Sequence, residues 1–160
     1  MQVLKLTLNL TILVRYIYKT NKNNVIMKLT SKGRYAVMAL ADIAKFEPHN
    51  PISLRDISLR QGISLVYLEQ LFLKLKKNNI VLSVRGKNGG YILNKKAADI
   101  KISEVFLAVE EKIKTIGCEK HSKKGCNGKS SKCITHNLWD ELENYINDFF
   151  EKKTLNDLIN

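Results

Sequence analysis

The stretch Ser53–Tyr91, SLRDISLRQGISLVYLEQLFLKLKKNNIVLSVRGKNGGY, decides how the rest of the chain is read. Ser53 followed three residues on by Asp56 is a helix-start pattern, a short form of the capping box. A short helix is predicted to Gln61 and to stop at Gly62, because glycine takes the left-handed conformation that a tight helix exit needs. Ser64 is the expected cap of a second helix reaching about Asn78. In it Leu65, Leu68, Leu71, Phe72 and Leu75 share one face, while Val66, Glu69, Gln70, Lys74 and Lys77 share the other. Leu73 is an apolar intruder on that polar face. Next come Ile80–Val84, the tip Arg85-Gly86-Lys87-Asn88-Gly89-Gly90, and Tyr91-Ile92-Leu93, which read as a β-hairpin. An amphipathic helix pair alone usually means core packing, and a basic glycine-rich hairpin alone is usually a turn. In this order they predict a winged helix-turn-helix, a DNA-reading module.

Charge is distributed in a way that supports this. The 160-residue chain carries a net charge of +12, and 44% of its residues are hydrophobic, enough for a core. Residues 1–26 hold four Lys/Arg and no acid, residues 27–100 thirteen bases and five acids, and residues 101–160 ten of each. A basic front and a neutral rear fit a polyanion-binding part joined to a part with another task. The division expected is therefore an N-terminal extension over 1–26, a DNA-binding domain over 27–100, and a rear segment over 101–160. The fold class is mainly α with a small β-hairpin wing and a long C-terminal helix.

Leu6 to Tyr18 is apolar but broken by Asn9 and Arg15, too short for a membrane span and without a signal-peptide pattern. Ordered patterning begins at Met27, so Met27 reads as the true start and residues 1–26 as outside the native product; a genuine extra helix is the alternative. A helix is expected from Ser31 to about Phe46, with Tyr35, Met38, Ala39, Ile43 and Phe46 inward. Pro48 and Pro51 close it, and His49 reads as a solvated loop residue. Beyond the wing, Asn94–Ala98 should make a helical turn, and Ser103 should cap a helix from Glu104 to about Glu111 with Val105, Phe106 and Val109 apolar. The last helix, His136 to Lys153, carries Leu138, Leu142, Tyr145, Ile146, Phe149 and Phe150. That stripe is wider than one domain needs and predicts a partner helix, hence a homodimer; Thr154–Ile159 reads as one more capped turn.

Three cysteines, an odd number, all fall between 118 and 133, which argues for a reducing compartment and metal ligation rather than disulfides. Cys118, Cys126, Cys133 and His136 are separated by seven, six and two residues. Thiolate plus imidazole suits zinc, iron or an iron–sulfur cluster, and the wide gaps fit a loop around something larger than one ion. Ordinary thiols are the bland alternative, and His121 could replace His136 on spacing.

With these residues in view, the chain resembles the IscR family of bacterial iron–sulfur-sensing repressors and its winged-helix relatives NsrR and CymR. The resemblance rests on Leu29–Val37 (LTSKGRYAV), Gln61–Leu65, Tyr67–Phe72, Ser83–Gly86, Gly89-Gly90-Tyr91, Cys133, Thr135-His136, Leu138-Trp139 and Thr154-Leu155. It spans residues 27 to about 159. It implies a cytoplasmic homodimer that binds a palindromic operator in double-stranded DNA. It further implies a 2Fe–2S cluster on Cys118, Cys126, Cys133 and His136. Major-groove reading would come from near Glu69 and Gln70, and a minor-groove contact from Arg85. Lys28, Ser31, Arg34, Ser64, Tyr67 and Gly86 complete the expected DNA contacts, and Leu138, Leu142, Tyr145, Ile146 and Phe149 the dimer contacts. Against what the resemblance leads one to expect, the gaps between cysteines look longer than in the closest relatives, Val66 stands where a polar base-contacting residue is expected, and the long tail that some relatives carry after the last helix is not seen. Structural zinc, or a 4Fe–4S sensor of nitric oxide, is the alternative within DNA-binding proteins. A thiol redox enzyme or cluster carrier is the alternative from another class, but no Cys-x-x-Cys pair or nucleophile–base set supports it. Neither a membrane nor a small-molecule substrate is expected as a partner.

Overall fold

The structure is a computed structural model that describes residues 30–46, 50–112 and 133–159. The N-terminal extension, Lys28, His49, Cys118, His121 and Cys126 lie outside the described residues.

Helix α1 spans Ser31–Phe46, α2 Leu54–Gln61 and α3 Leu65–Lys77. The start of α2 follows the local signal: Ser53 Oγ accepts a bond from Asp56 N at 3.2 Å and donates to Asp56 Oδ2 at 2.6 Å. Its end follows too, with Gly62 at φ 65° and its N–H bonded to Ser58 O. Strands β1 (Val81–Val84) and β2 (Gly90–Leu93) pair antiparallel, Val81 opposite Leu93 and Val84 opposite Gly90. Ile52 adds a bridge to Tyr91, which ties the hairpin to the chain just before α2. A 3-10 turn at Ala97–Asp99 leads to α4 (Ile102–Ala108), and α5 covers His136–Lys152. A last 3-10 turn, Asn156–Leu158, starts from Leu155 without a side-chain cap, and the N–H and hydroxyl of Thr154 before it both donate to Asp157 Oδ2.

One apolar cluster joins these elements. Leu40 and Ile43 of α1, Leu68, Phe72 and Leu75 of α3, Val81, Val105 of α4 and Leu155 are all fully buried. Burying each such side chain contributes roughly 1.5–3 kcal/mol. Phe72 meets Tyr91 edge-on at 4.8 Å, which locks α3 to the hairpin. Phe106 meets Phe150 at 4.8 Å, which docks α5 on α4.

Six local expectations are corrected. Phe46 is 52% exposed, because the last residue of α1 lies beyond the helix contacts; its ring is covered by Arg60, 5.2 Å from the centroid, and by Lys45. Leu65, in the first turn of α3, is also exposed, and Ser64 before it makes no side-chain cap bond. Ser103 lies inside α4 and caps nothing. The helix begins earlier because Ile102 is buried and its N–H bonds Lys153 O at 2.8 Å, leaving Ser103 Oγ to donate to Glu151 at 2.7 Å. The turn expected at Asn94–Ala98 forms at Ala97–Asp99, and α4 ends at Ala108, where the chain soon turns through a positive φ at Glu110.

Candidate nucleic-acid interface and metal-ligand root

Two helices and the hairpin build one face. Ser31 and Tyr35 of α1 and Ser64, Val66, Tyr67 and Gln70 line a shared cleft. Tyr35 and Tyr67 pack edge-on at 5.8 Å and fix the angle between α1 and α3. Val66, Glu69, Gln70 and Leu73 are exposed on the outer face of α3, as their helical spacing requires. Lys76 Nζ donates to Ser83 Oγ at 2.7 Å and so ties the end of α3 to β1. Arg85 is exposed at the wing, beside Gly86, which takes φ 121° and accepts a bond from Gly89 N at 3.0 Å. Such a φ needs glycine, so Gly86 sets the turn that carries the arginine. Arg34 lies on another side of α1, in a groove with Val37, Met38, Phe149 and Phe150. The structure thus places Ser31, Ser64, Tyr67 and Gln70 together and Arg34 apart from them.

Lys74 is opposed by Glu110, an ion pair that was not legible in the sequence. The Lys74 ammonium bonds Glu110 and holds its carboxyl below the usual carboxylate range, with Lys32 and Lys77 assisting. A second unforeseen pair has a buried acid and an exposed base: Arg60 Nη2 lies 2.6 Å from the Oδ1 of buried Asp42, and Gln61 Nε2 donates to Asp42 Oδ2 at 2.6 Å. The signal for it was a lone carboxylate between Leu40 and Ile43 on the apolar face of α1.

Of the four expected metal donors, the described residues contain Cys133 and His136, at the root of α5. His136 N–H bonds Cys133 O at 3.0 Å, so the two ligand candidates sit one turn apart. Thr135 lies between them, its Oγ1 3.6 Å from Cys133 Sγ and accepting a bond from Trp139 Nε1 at 3.2 Å. His136 is 6% exposed, and its Nδ1 has no hydrogen-bond partner among the described residues. No group of three or more potential metal donors occurs among the described residues.

Helix α5 leaves Leu138 (58% exposed), Tyr145 and Phe149 uncovered, with Leu142 exposed and Ile146 half-buried on the same side. Its far end is clamped to α4: Glu151 accepts from Lys101 and Ser103, and these bonds hold its carboxyl below the usual range. No helix among the described residues is long and apolar enough to cross a membrane.

Comparison with known proteins agrees with this geometry. Residues 29–160 match the Rrf2 family, described as iron-dependent transcriptional regulators. The HTH-type transcriptional regulator IscR of Pectobacterium carotovorum subsp. carotovorum (strain PC1) is 49% identical over 134 residues, covering 84% of this chain and 80% of that protein. IscR of Cronobacter sakazakii (strain ATCC BAA-894) is 50% identical over 134 residues, with coverage of 84% and 81%. Among solved structures, IscR of T. potens superposes with a TM-score of 0.66 at 33% identity, covering 82% of this chain and 85% of that one. CymR, the global cysteine regulator of B. subtilis, gives 0.70 at 26% identity, covering 84% and 97%. These relatives are transcriptional regulators and not enzymes. A helix-turn-helix braced by a hairpin, with this likeness along nearly its whole described length, makes the chain a member of the Rrf2 family and a DNA-binding transcriptional regulator of the IscR type.

Proposed function

We propose that this chain is a cytoplasmic, homodimeric repressor whose operator binding responds to an iron–sulfur cluster, most simply 2Fe–2S, and which controls genes of cluster assembly. The observation that carries the reading is His136: a buried imidazole whose Nδ1 has no partner among the described residues, one turn from Cys133. An orphaned buried nitrogen costs about 1–3 kcal/mol, and a bound metal is a common way to satisfy it. With Cys118 and Cys126 these residues supply three thiolates and one imidazole, a donor set that fits iron. When bound, the cluster supplies a labile group whose presence reports iron and sulfur supply.

The chain's own residues do the rest. Cys133 and His136 sit at the root of α5, so ligation there bears on the helix that carries the exposed apolar stripe. A second copy of the chain is the occupant that fits the stripe, since symmetric dimers read two half-sites and mirror a palindrome. Residues 27–100 present Glu69 and Gln70 to a major groove and Arg85 to a minor groove, where A·T-rich DNA is narrow and most negative. Occupancy of the site would shift the dimer between DNA-binding states.

Anaerobically purified protein tests this directly. Absorption bands of an iron–sulfur centre, with iron and sulfide bound in comparable amounts and operator affinity that changes when they are removed, are expected. Colourless protein containing zinc, or operator binding indifferent to the centre, would overturn the reading.

A further inference from the structure

The segment Ala108–Glu111, from which the chain enters the cysteine-bearing stretch, is fastened to both helices of the DNA face. Its hold on α1 is Glu111, 8% exposed. Glu111 Oε1 accepts from Thr30 N at 3.1 Å, and Oε2 from the Thr30 hydroxyl. The carboxylate therefore stands at the N-terminus of α1, where backbone N–H groups lack helical partners and the dipole favours negative charge. The approach is tight at Gly33. A Cβ on Gly33 would lie 3.0 Å from Glu111 Cγ and 3.1 Å from Phe106 Cε1.

Its hold on α3 is separate. Glu110 pairs with Lys74, and Asn78 Nδ2 donates to Ala108 O at 3.2 Å while also bonding Lys74 O at 2.9 Å. Lys32 Nζ reaches back from α1 to Glu110 O at 2.8 Å. Glu110 adopts φ 58°, a left-handed conformation that non-glycine residues enter only when their surroundings over-determine it.

We propose that Glu110 and Glu111 are positioning residues for DNA reading. They form a joint that sets the start of α1 and the end of α3 together, so that displacement of this joint shifts both at once. The Glu110–Lys74 pair is solvent-exposed and contributes little stability as a surface ion pair; its part is geometric. Coupling of the joint to the cysteine-bearing stretch rests on the cluster reading above, whereas the positioning role does not.

Simple electrostatics makes the opposite prediction. Removing a carboxylate from a polyanion-binding chain tightens all DNA alike. The test uses full-length Glu110→Gln, Glu111→Gln and Glu111→Asp. The probes are a duplex carrying the site that wild-type protein selects from a randomised pool, and the same duplex with that site scrambled. The ratio of the two affinities should fall about 3- to 30-fold in both glutamine variants. Glu111→Asp keeps the charge but shortens the reach, and should fall with them. Thermal unfolding of Glu110→Gln should match wild type, which separates positioning from loss of fold. An unchanged ratio, or equal tightening on both duplexes, overturns the proposal. Measuring the ratio with and without chelator separates the two claims. If chelator leaves wild type unaffected, the cluster reading fails while the variants still judge the joint.

Discussion

Arg60 lies over the end of α1 with Nη2 2.6 Å and Nε 3.0–3.2 Å from the carboxylate of Asp42, whose side chain is fully buried. The fork geometry binds α1 to α2, and Gln61 supplies a further donor. Removing the cation should therefore hurt more than removing both partners. Arg60→Ala leaves a buried charge and should cost about 3 kcal/mol, while Asp42→Ala combined with Arg60→Ala should cost less than the sum of the singles. Urea unfolding of the double-mutant cycle measures the coupling; additive costs would mean that the pair does not interact.

Arg85 stands on the turn that Gly86 sets, exposed and away from the core. Arg85→Ala should weaken operator binding about tenfold and lower the salt slope by about 1, with no change in thermal unfolding. Titration against salt concentration checks both effects, and unchanged affinity at physiological salt removes the wing arginine from the interface.

Glu69 is exposed on the α3 face proposed to meet DNA. A carboxylate there repels phosphate and can accept a bond from cytosine N4, so on the proposed reading its contribution is selectivity rather than attraction. With Glu69→Ala, the penalty for a wrong base pair at the position it reads should shrink by about 1 kcal/mol, and affinity for poor sites should rise. Gln70 should act oppositely, its removal weakening good sites. Competition binding over a panel of operator variants measures the ranking; an unaltered ranking denies Glu69 this part.

Acid should open the clamp between α5 and α4. Hydrogen bonds from Lys101 and Ser103 depress the Glu151 carboxyl below its unfolded value. A depressed carboxyl gives stability that is present above the unfolded value and lost as pH falls through the folded one. Thermal unfolding followed downward from neutral pH should therefore fall more steeply for wild type than for Glu151→Gln. Parallel curves would show that the clamp does not survive in solution.

What could be read in advance was what short-range physics decides. Ser53 and Gly62 mark the ends of α2 because a cap needs only its own next few residues, and the buried face of α3 follows from a 3.6-residue period. The hairpin and the exposed stripe of α5 follow from equally local patterns. Expectations failed where distant partners decide. Ser103 looks like a cap until the bond between Ile102 and Lys153 moves the helix start, and Phe46 looks inward until α1 runs past its neighbours. At the site, the spacing of Cys133 and His136 was visible, but the burial of Nδ1 was not. Glu111 and Thr30 are 81 residues apart, beyond any local pattern.

His136 gives the sharpest test, because its two readings differ in sign. As a side chain that merely packs at the root of α5, it carries a buried nitrogen with no partner among the described residues and gains nothing from it. His136→Leu fills similar space without that nitrogen, and should then raise thermal stability by about 1 kcal/mol or more whether or not metal is present. As a ligand, the imidazole contributes binding energy that counts as folding energy only when the site is loaded. His136→Leu should then stabilise chelator-treated protein and destabilise protein purified anaerobically, so the two thermal shifts have opposite signs. His136→Cys replaces a neutral donor with an anionic one, and should keep the cluster while making it slower to remove by chelator. His136→Ala should lose it. Spectroscopy sensitive to nitrogen bound to iron completes the case: a nitrogen signal that persists in His136→Cys and vanishes with His121→Ala would transfer the role to His121.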